Sequence, residues 1–348
     1  MRHLVPVLLL TVALAGCLGD ARTEWAYEDT QFNEVTKTGK GVRVGILDTG
    51  IDVDHPSMDH LVDGDKNNGE LMGFKDFIGG ITGVEKAYDD NGHGTHVVGI
   101  MAARGSTFGD KLLYGGIDLK GAAPDAQFYV AKVCGKENCP DAAIAQGLTW
   151  LASQQVDVVS MSLGGEKFPI TIGDQVRTAV NSLIDEGVVV VASAGNSGPD
   201  NADVDEPADI QGVIAVGAIQ QDGDVWDGSS RGNNMGQNEC RGGILGNQLG
   251  RCDPHKKPEI VAPGVSILSA WIDGSYVKAT GTSQAAPFVA SAVALMLEGK
   301  PQLQNRADVY EVKLAIASSA KQMADTVHDP AYGYGILQAK DAIAAYNS

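Results

Sequence analysis

The chain has 348 residues, and its 26 Lys and Arg stand against 44 Asp and Glu, a net charge of −18. That balance argues against nucleic acid as a partner, because phosphate binding takes a surplus of Lys and Arg. Glycine is frequent, at 44 residues, but follows no G-X-Y period, so the chain is not collagenous. The 43 % of hydrophobic residues is enough for a sizeable core and argues against disorder.

Arg2 and His3 give a short basic start, and residues 4–15 are an almost unbroken apolar run. A bilayer-spanning helix takes about 20 such residues. The run therefore reads as the core of a signal peptide, residues 1–16. Leu14-Ala15-Gly16-Cys17 resembles the lipobox of prokaryotic lipoproteins, in which the cysteine is lipidated. Ala13-Leu14-Ala15 also fits ordinary A-x-A cleavage. Both readings export the protein, and the first tethers it by a lipid on Cys17 to the outer face of the cell membrane. Residues 17–40 then form a short N-terminal segment or linker, and residues 41–348 one large domain, expected to be monomeric.

Short Val- and Ile-rich runs at residues 42–47, 128–133, 156–161, 188–192 and 213–218 predict strands. They read as buried on both faces, as a parallel sheet requires. Helical patterns fall at residues 93–103, 141–154, 172–186, 282–298 and 306–320. The alternation predicts an α/β fold, a doubly wound, mostly parallel central sheet with helices on both faces. A hairpin is expected over residues 266–279, turning at Asp273-Gly274. The apolar stretch after Pro287 is too short to span a membrane and reads as a buried helix, while Met101, Met161 and Met296 read as core filler.

In such sheets ligands bind beyond the carboxyl ends of the strands. Asp48 ends the first predicted strand, Asn196 follows the strand at 188–192, and His93 and Ser283 begin helices. A serine hydroxyl is a weak nucleophile unless a base takes its proton and a third group orients that base. Ser283, His93 and Asp48 fit those parts, and the Asn196 amide fits an oxyanion donor that cannot ionise. His96 lies three residues after His93, but the Glu of a zincin motif is missing. It reads as a packed helical histidine rather than one of a metal pair. Asp200, Asp203, Asp205, Glu206 and Asp209 crowd the loop after Asn196. There they would bind calcium, attract basic side chains of a substrate, or form a solvated acidic loop.

With Cys17 set aside, four cysteines remain and allow three pairings. Local pairing, Cys134 with Cys139 and Cys240 with Cys252, is simplest for an exported chain. Free or metal-binding thiols are the alternative, although the spacings do not match a zinc ribbon.

These residues sit in four segments that resemble motifs of the subtilisin-like serine proteases. They are Asp48-Thr49-Gly50-Ile51-Asp52 with His55-Pro56, Asn91-Gly92-His93-Gly94-Thr95-His96-Val97, Ala194-Gly195-Asn196-Ser197-Gly198, and Gly281-Thr282-Ser283-Gln284-Ala285-Ala286-Pro287. The last has Gln where Met is usual. The order Asp, His, Ser is also that of subtilisins. The resemblance runs from about Gly41 to Gln338 and implies peptide-bond hydrolysis through an acyl-enzyme, with protein or peptide substrates and no cofactor for the chemistry. It also implies that Ser162-Leu163-Gly164 forms an edge strand for substrate backbone and that Ser193-Ala194-Gly195 walls the first specificity pocket. The chain departs from the family pattern in four places, one of them residues 105–121, which differ from the usual calcium loop. Residues 18–40 are too few for a folded propeptide, and Ser57 stands where many relatives place a calcium-binding Asp. Residues 233–256 look like an insertion holding Cys240 and Cys252. Structural calcium is thus unsupported at the usual position, and the metal content is unknown.

Overall fold

The computed structural model describes residues 24–64, 70–105, 117, 119–136, 138–164, 174–200, 203–233 and 251–348. The expected signal peptide, Cys17 and Cys240 lie outside the described residues.

Seven parallel strands form the central sheet in the order β2-β3-β1-β4-β5-β6-β7. They are β1 Arg43–Asp48, β2 Glu70–Asp76, β3 Gln127–Lys132, β4 Val158–Met161, β5 Val189–Ser193, β6 Ile214–Ile219 and β7 Ile260–Pro263. Strands β4 to β7 are buried at every position, which explains their unbroken apolar sequences. The sheet was expected, but β2 and β7 were not predicted. Strand β2 alternates in burial and reads in sequence as a mixed ELMGFKD segment, whereas β7 is only four residues long.

The helices are α1 Glu24–Asp29, α2 His93–Ala102, α3 Asp141–Ser153, α4 Asp174–Asp185, α5 Thr282–Leu297, α6 Arg306–Ser319 and α7 Ala339–Tyr346. Every residue of α5 except Ser283 is buried. A helix apolar on all sides belongs inside a large domain, and α5 packs against β4, β5, β6, β7 and α2. Pro287 lies inside α5 and removes the N–H that would bond the Ser283 carbonyl, which instead accepts the Ser162 hydroxyl at 2.8 Å. Met101, Met161 and Met296 are fully buried. The predicted hairpin is present as β8 Ile267–Ala270 and β9 Tyr276–Ala279. Asp273 and Gly274 have φ of 59° and 67° at its turn, as a type I′ connection demands.

Several residues of the expected N-terminal segment or linker pack on the domain. Phe32 is 5 % exposed, and the rings of Tyr27 and Phe32 meet Phe288 of α5 at centroid distances of 5.5 and 6.0 Å. The Ala339 N–H donates to the Thr30 carbonyl at 2.8 Å, joining this segment to α7. Lys37 Nζ reaches the carbonyls of Leu295 and Glu298 at the end of α5, both at 3.0 Å. With only six residues, α1 is too short to show a helical period in sequence.

Candidate active site

The chain switches direction in the sheet between β1 and β4, and a crevice opens there beyond their carboxyl ends. Asp48 is the last residue of β1 and is 1 % exposed. Its Oδ1 accepts the Thr49 N–H and lies 2.7 Å from His93 Nδ1. A carboxylate only accepts, so Nδ1 carries the proton, and the neutral ring keeps its lone pair on Nε2. Burial pulls the His93 pKa down, but the Asp48 carboxylate beside it outweighs that and raises it above the ordinary imidazole value.

Two features hold His93 at the start of α2. Asp89 Oδ1 accepts the N–H groups of Asn91 and Gly92, and its Oδ2 accepts the N–H and hydroxyl of Thr95. Burial raises the Asp89 pKa, yet these donors more than offset it, and the net shift is downward. Gly92, with φ of 106°, lies against Trp271, and a Cβ there would stand 2.3 Å from that ring. Sequence reasoning missed Asp89, although an acid four residues before a helix-starting His is a capping signal.

Ser283 is the second residue of α5. Its hydroxyl donates to the Ser162 carbonyl at 3.1 Å rather than to His93, and the Ser162 hydroxyl donates back to the Ser283 carbonyl at 2.8 Å. Rotation about χ1 re-aims a serine hydroxyl, and hydrogen bonds of this type are often unmade before substrate binds. Asn196 Oδ1 accepts from the Thr282 N–H at 3.0 Å and lies 3.0 Å from the Thr282 hydroxyl. The backbone N–H can only donate, which fixes the amide with its oxygen inward and Nδ2 at the other end. Thr282 is a second positioning residue that sequence reasoning missed.

Asp48, His93, Ser283 and Asn196 line one cleft of about 350 Å³. Ser162, Leu163, Gly164, Ser193 and Gly195 line it as well. Ala194, predicted beside them, is fully buried and is not among the lining residues. Residues 162–164 lie past the end of β4 and belong to no strand, so the expected edge strand is not formed in the free chain. A third wall follows β3, where Cys134 and Cys139 are joined by a disulfide, as predicted. Beneath it lies Lys132, 1 % exposed, its Nζ 2.6 Å from Asp90 Oδ1 and 2.5 Å from the Thr49 carbonyl. A lysine at a strand end reads as surface in sequence, so this tie was not foreseen.

His96 is fully buried, with Nε2 at 3.0 and 3.1 Å from the carbonyls of Ile267 and Val277 on the hairpin. Burial lowers its pKa to about 4, so it stays neutral and serves as a packing histidine. Ser57 Oγ lies 2.9 Å from the Tyr276 hydroxyl, which gives that departure from the family pattern a place in the hairpin contact. The acidic loop is partly neutralised from within: Arg177 pairs with Glu206 and Asp209, and Arg251 with Asp203. Among the described residues no group of three or more His, Cys, Asp or Glu could hold a metal ion. No helix among them is long and apolar enough to cross a membrane.

A parallel α/β sheet with a carboxylate–imidazole pair, a serine at a helix start and a fixed carboxamide in one cleft defines a hydrolase of the serine type. The profile described as the Subtilase family matches residues 39–335. Serine protease AprX of Bacillus subtilis (strain 168) is 31 % identical over 350 residues, covering 93 % of this chain and 71 % of its own. Subtilisin DY of Bacillus licheniformis is 31 % identical over 309 residues, covering 87 % and 91 %. Subtilisin Savinase of Lederbergia lenta is 32 % identical over 306 residues, covering 88 % and 91 %. The chain belongs to the subtilase family. It is a serine endopeptidase that acts on protein or peptide substrates.

Proposed function

We propose that Ser283 attacks the scissile carbonyl and carries the acyl group. His93 Nε2 takes the hydroxyl proton and passes it to the leaving amine. Asp48 keeps the ring in the Nδ1–H tautomer and stabilises the imidazolium while it exists. Asn196 Nδ2 donates to the oxyanion, joined by the Ser283 N–H, which lies in the first turn of α5 and lacks a helical acceptor. Water then enters by the same base and releases the acid, and the chemistry needs no cofactor.

The observation that carries this reading is the 2.7 Å Asp48–His93 contact in the same cleft as Ser283 and Asn196. Substrate backbone pairs with residues 162–164, a place where extended chain can add beside β4. The test is hydrolysis of casein and of short peptides by wild type, Ser283→Ala and His93→Ala. Each substitution should lower kcat by about 10⁶-fold, since the pair acts as one unit. Residual rates within tenfold of wild type would refute it.

The same reading has the protein made with a leader of residues 1–16 and acting outside the cell as a monomer. A lipid on Cys17 would tether it to the membrane. The intact mass of the mature N-terminus tests this, because a diacylated Cys17 and a free Leu-, Gly- or Cys-started chain differ by hundreds of daltons.

A further inference from the structure

Lys132 ends β3 and lies beside Asp48 in the register of β3 against β1. It is 1 % exposed and is not among the residues that line the cleft. An ammonium has three protons to donate, and three acceptors surround this one. They are the Thr49 carbonyl at 2.5 Å, Asp90 Oδ1 at 2.6 Å and the Cys134 carbonyl at 3.0 Å. The centre of the Tyr88 ring lies 5.2 Å away. The acceptors come from three separate segments. Thr49 follows Asp48, Asp90 lies three residues before His93, and Cys134 opens the disulfide wall.

Thr49 touches both halves of the Asp48–His93 pair. Its N–H donates to Asp48 Oδ1 at 2.7 Å, the same oxygen that faces His93 Nδ1. Its hydroxyl accepts the N–H of Gly94, the residue after His93, at 2.8 Å. Its carbonyl is the group that Lys132 holds. On the side of β3, the N–H groups of Val133 and Cys134 both donate to the Asp48 carbonyl, at 2.9 and 3.2 Å.

We propose that Lys132 is a positioning residue for the Asp48–His93 pair: by gripping Thr49, Asp90 and Cys134 at once, it fixes the end of β1 against the start of α2. The inference rests on that pair being the base and its orienter. An apolar side chain would serve packing as well, since burying a charge is costly before its partners offset it. What a compact ammonium adds is convergence, with oxygens from three segments meeting at one atom. The planar fork of an arginine spreads its donors and does not reproduce that. The grip has leverage because a misplacement of about 1 Å at a catalytic group costs about 10²-fold in rate.

The test measures kcat, KM and the acid limb of kcat/KM on one peptide for wild type, Lys132→Met, Lys132→Arg and Asp90→Asn. Lys132→Met is also made in an Asp48→Asn background. Rates are divided by the concentration of sites labelled to completion with a fluorophosphonate, which removes unfolded chains from the count. Lys132→Met should lower kcat by about 10–10²-fold and leave KM within about threefold. Lys132→Arg should not restore the rate, and Asp90→Asn should show a smaller loss of kcat. The midpoint of the acid limb should fall in Lys132→Met, because an imidazole held less closely by its carboxylate gives up its proton at lower pH. Loss of a nearby cation acting by charge alone would raise it. With Asp48→Asn already in place, Lys132→Met should change kcat by less than about twofold. Unchanged kcat in Lys132→Met, a midpoint that rises, full activity in Lys132→Arg, or an undiminished loss in the Asp48→Asn background would overturn the inference while leaving the catalytic reading intact. If Lys132→Met yields no labelled sites, Asp90→Asn decides, and wild-type kcat there overturns the inference as well. Asp48→Asn with wild-type activity would overturn both.

Discussion

The side-chain oxygen of Asn196 accepts the backbone N–H of Thr282 at 3.0 Å, and the Thr282 hydroxyl lies equally close. The residue before the proposed nucleophile thus orients the proposed oxyanion donor, tying the loop after β5 to the start of α5. Asn196→Ala should lower kcat by about 10²–10³-fold with little change in KM, because the donor acts mainly on the transition state. Thr282→Val keeps the N–H and loses the hydroxyl, and should give a smaller loss in kcat. Steady-state kinetics on one peptide checks both, and a loss confined to KM would contradict the assignment.

The Asp48–His93 pair sets a pH dependence. Burial alone would favour the neutral ring, but the carboxylate wins and His93 holds its proton to a higher pH than an ordinary imidazole at about 6.5. The base must be neutral to act, so kcat/KM should fall about tenfold per pH unit below a midpoint above ~6.5. Asp48→Asn should cost about 10⁴-fold in kcat and move that midpoint to lower pH. A midpoint that does not respond to Asp48 would remove it from the mechanism.

A second electrostatic feature concerns stability. Lys257, Glu259 and Lys313 are all fully buried, with the two ammonium groups 2.9 and 2.6 Å from Glu259 Oε1. Both lysines also donate to the Val213 carbonyl, and Glu259 Oε2 accepts the Ala215 N–H. Glu259→Ala would leave two buried cations facing each other, and should destabilise by about 3–5 kcal/mol. Desolvation pulls the Lys257 pKa to about 7, against about 10.4 in an unfolded chain. Between those values the unfolded chain holds a proton that the folded chain has released, so this group makes stability rise with pH. Urea unfolding from pH 7 to 10, in a Ser283→Ala background to prevent self-digestion, should show that rise and lose it in Lys257→Met.

Part of residues 24–40 packs on the rest of the domain. Phe32 packs on Phe288 beneath α5, and Phe32→Ala should cost about 3–5 kcal/mol of stability. Thermal unfolding checks it. An unchanged transition would return residues 24–40 to the role of a linker.

Much of this was legible in the sequence because the physics is local. A strand buried on both faces must be apolar throughout, so β1, β3, β4, β5 and β6 were readable as Val- and Ile-rich runs. The helices flanking them were readable to within a few residues, and Asp48, His93, Asn196 and Ser283 fell at strand or helix ends where a doubly wound sheet gathers its ligands. What stayed hidden depends on distant partners. Asp89, Thr282 and Lys132 are ordinary polar residues until the fold brings Thr95, Asn196 and Asp90 beside them. Strand β2 carries a mixed pattern, and α1 is only six residues long, so neither offers a period to read. The acidic loop could be seen but not sorted, since its partners Arg177 and Arg251 lie elsewhere in the chain.

The most direct test of the account is labelling with a biotinylated fluorophosphonate followed by peptide mapping. Wild type should gain a single adduct on the peptide containing Ser283, at a rate that falls when His93 is protonated, and Ser283→Ala should gain none. Equal labelling of wild type and Ser283→Ala, or an adduct mapped to another residue, would contradict Ser283 as the nucleophile.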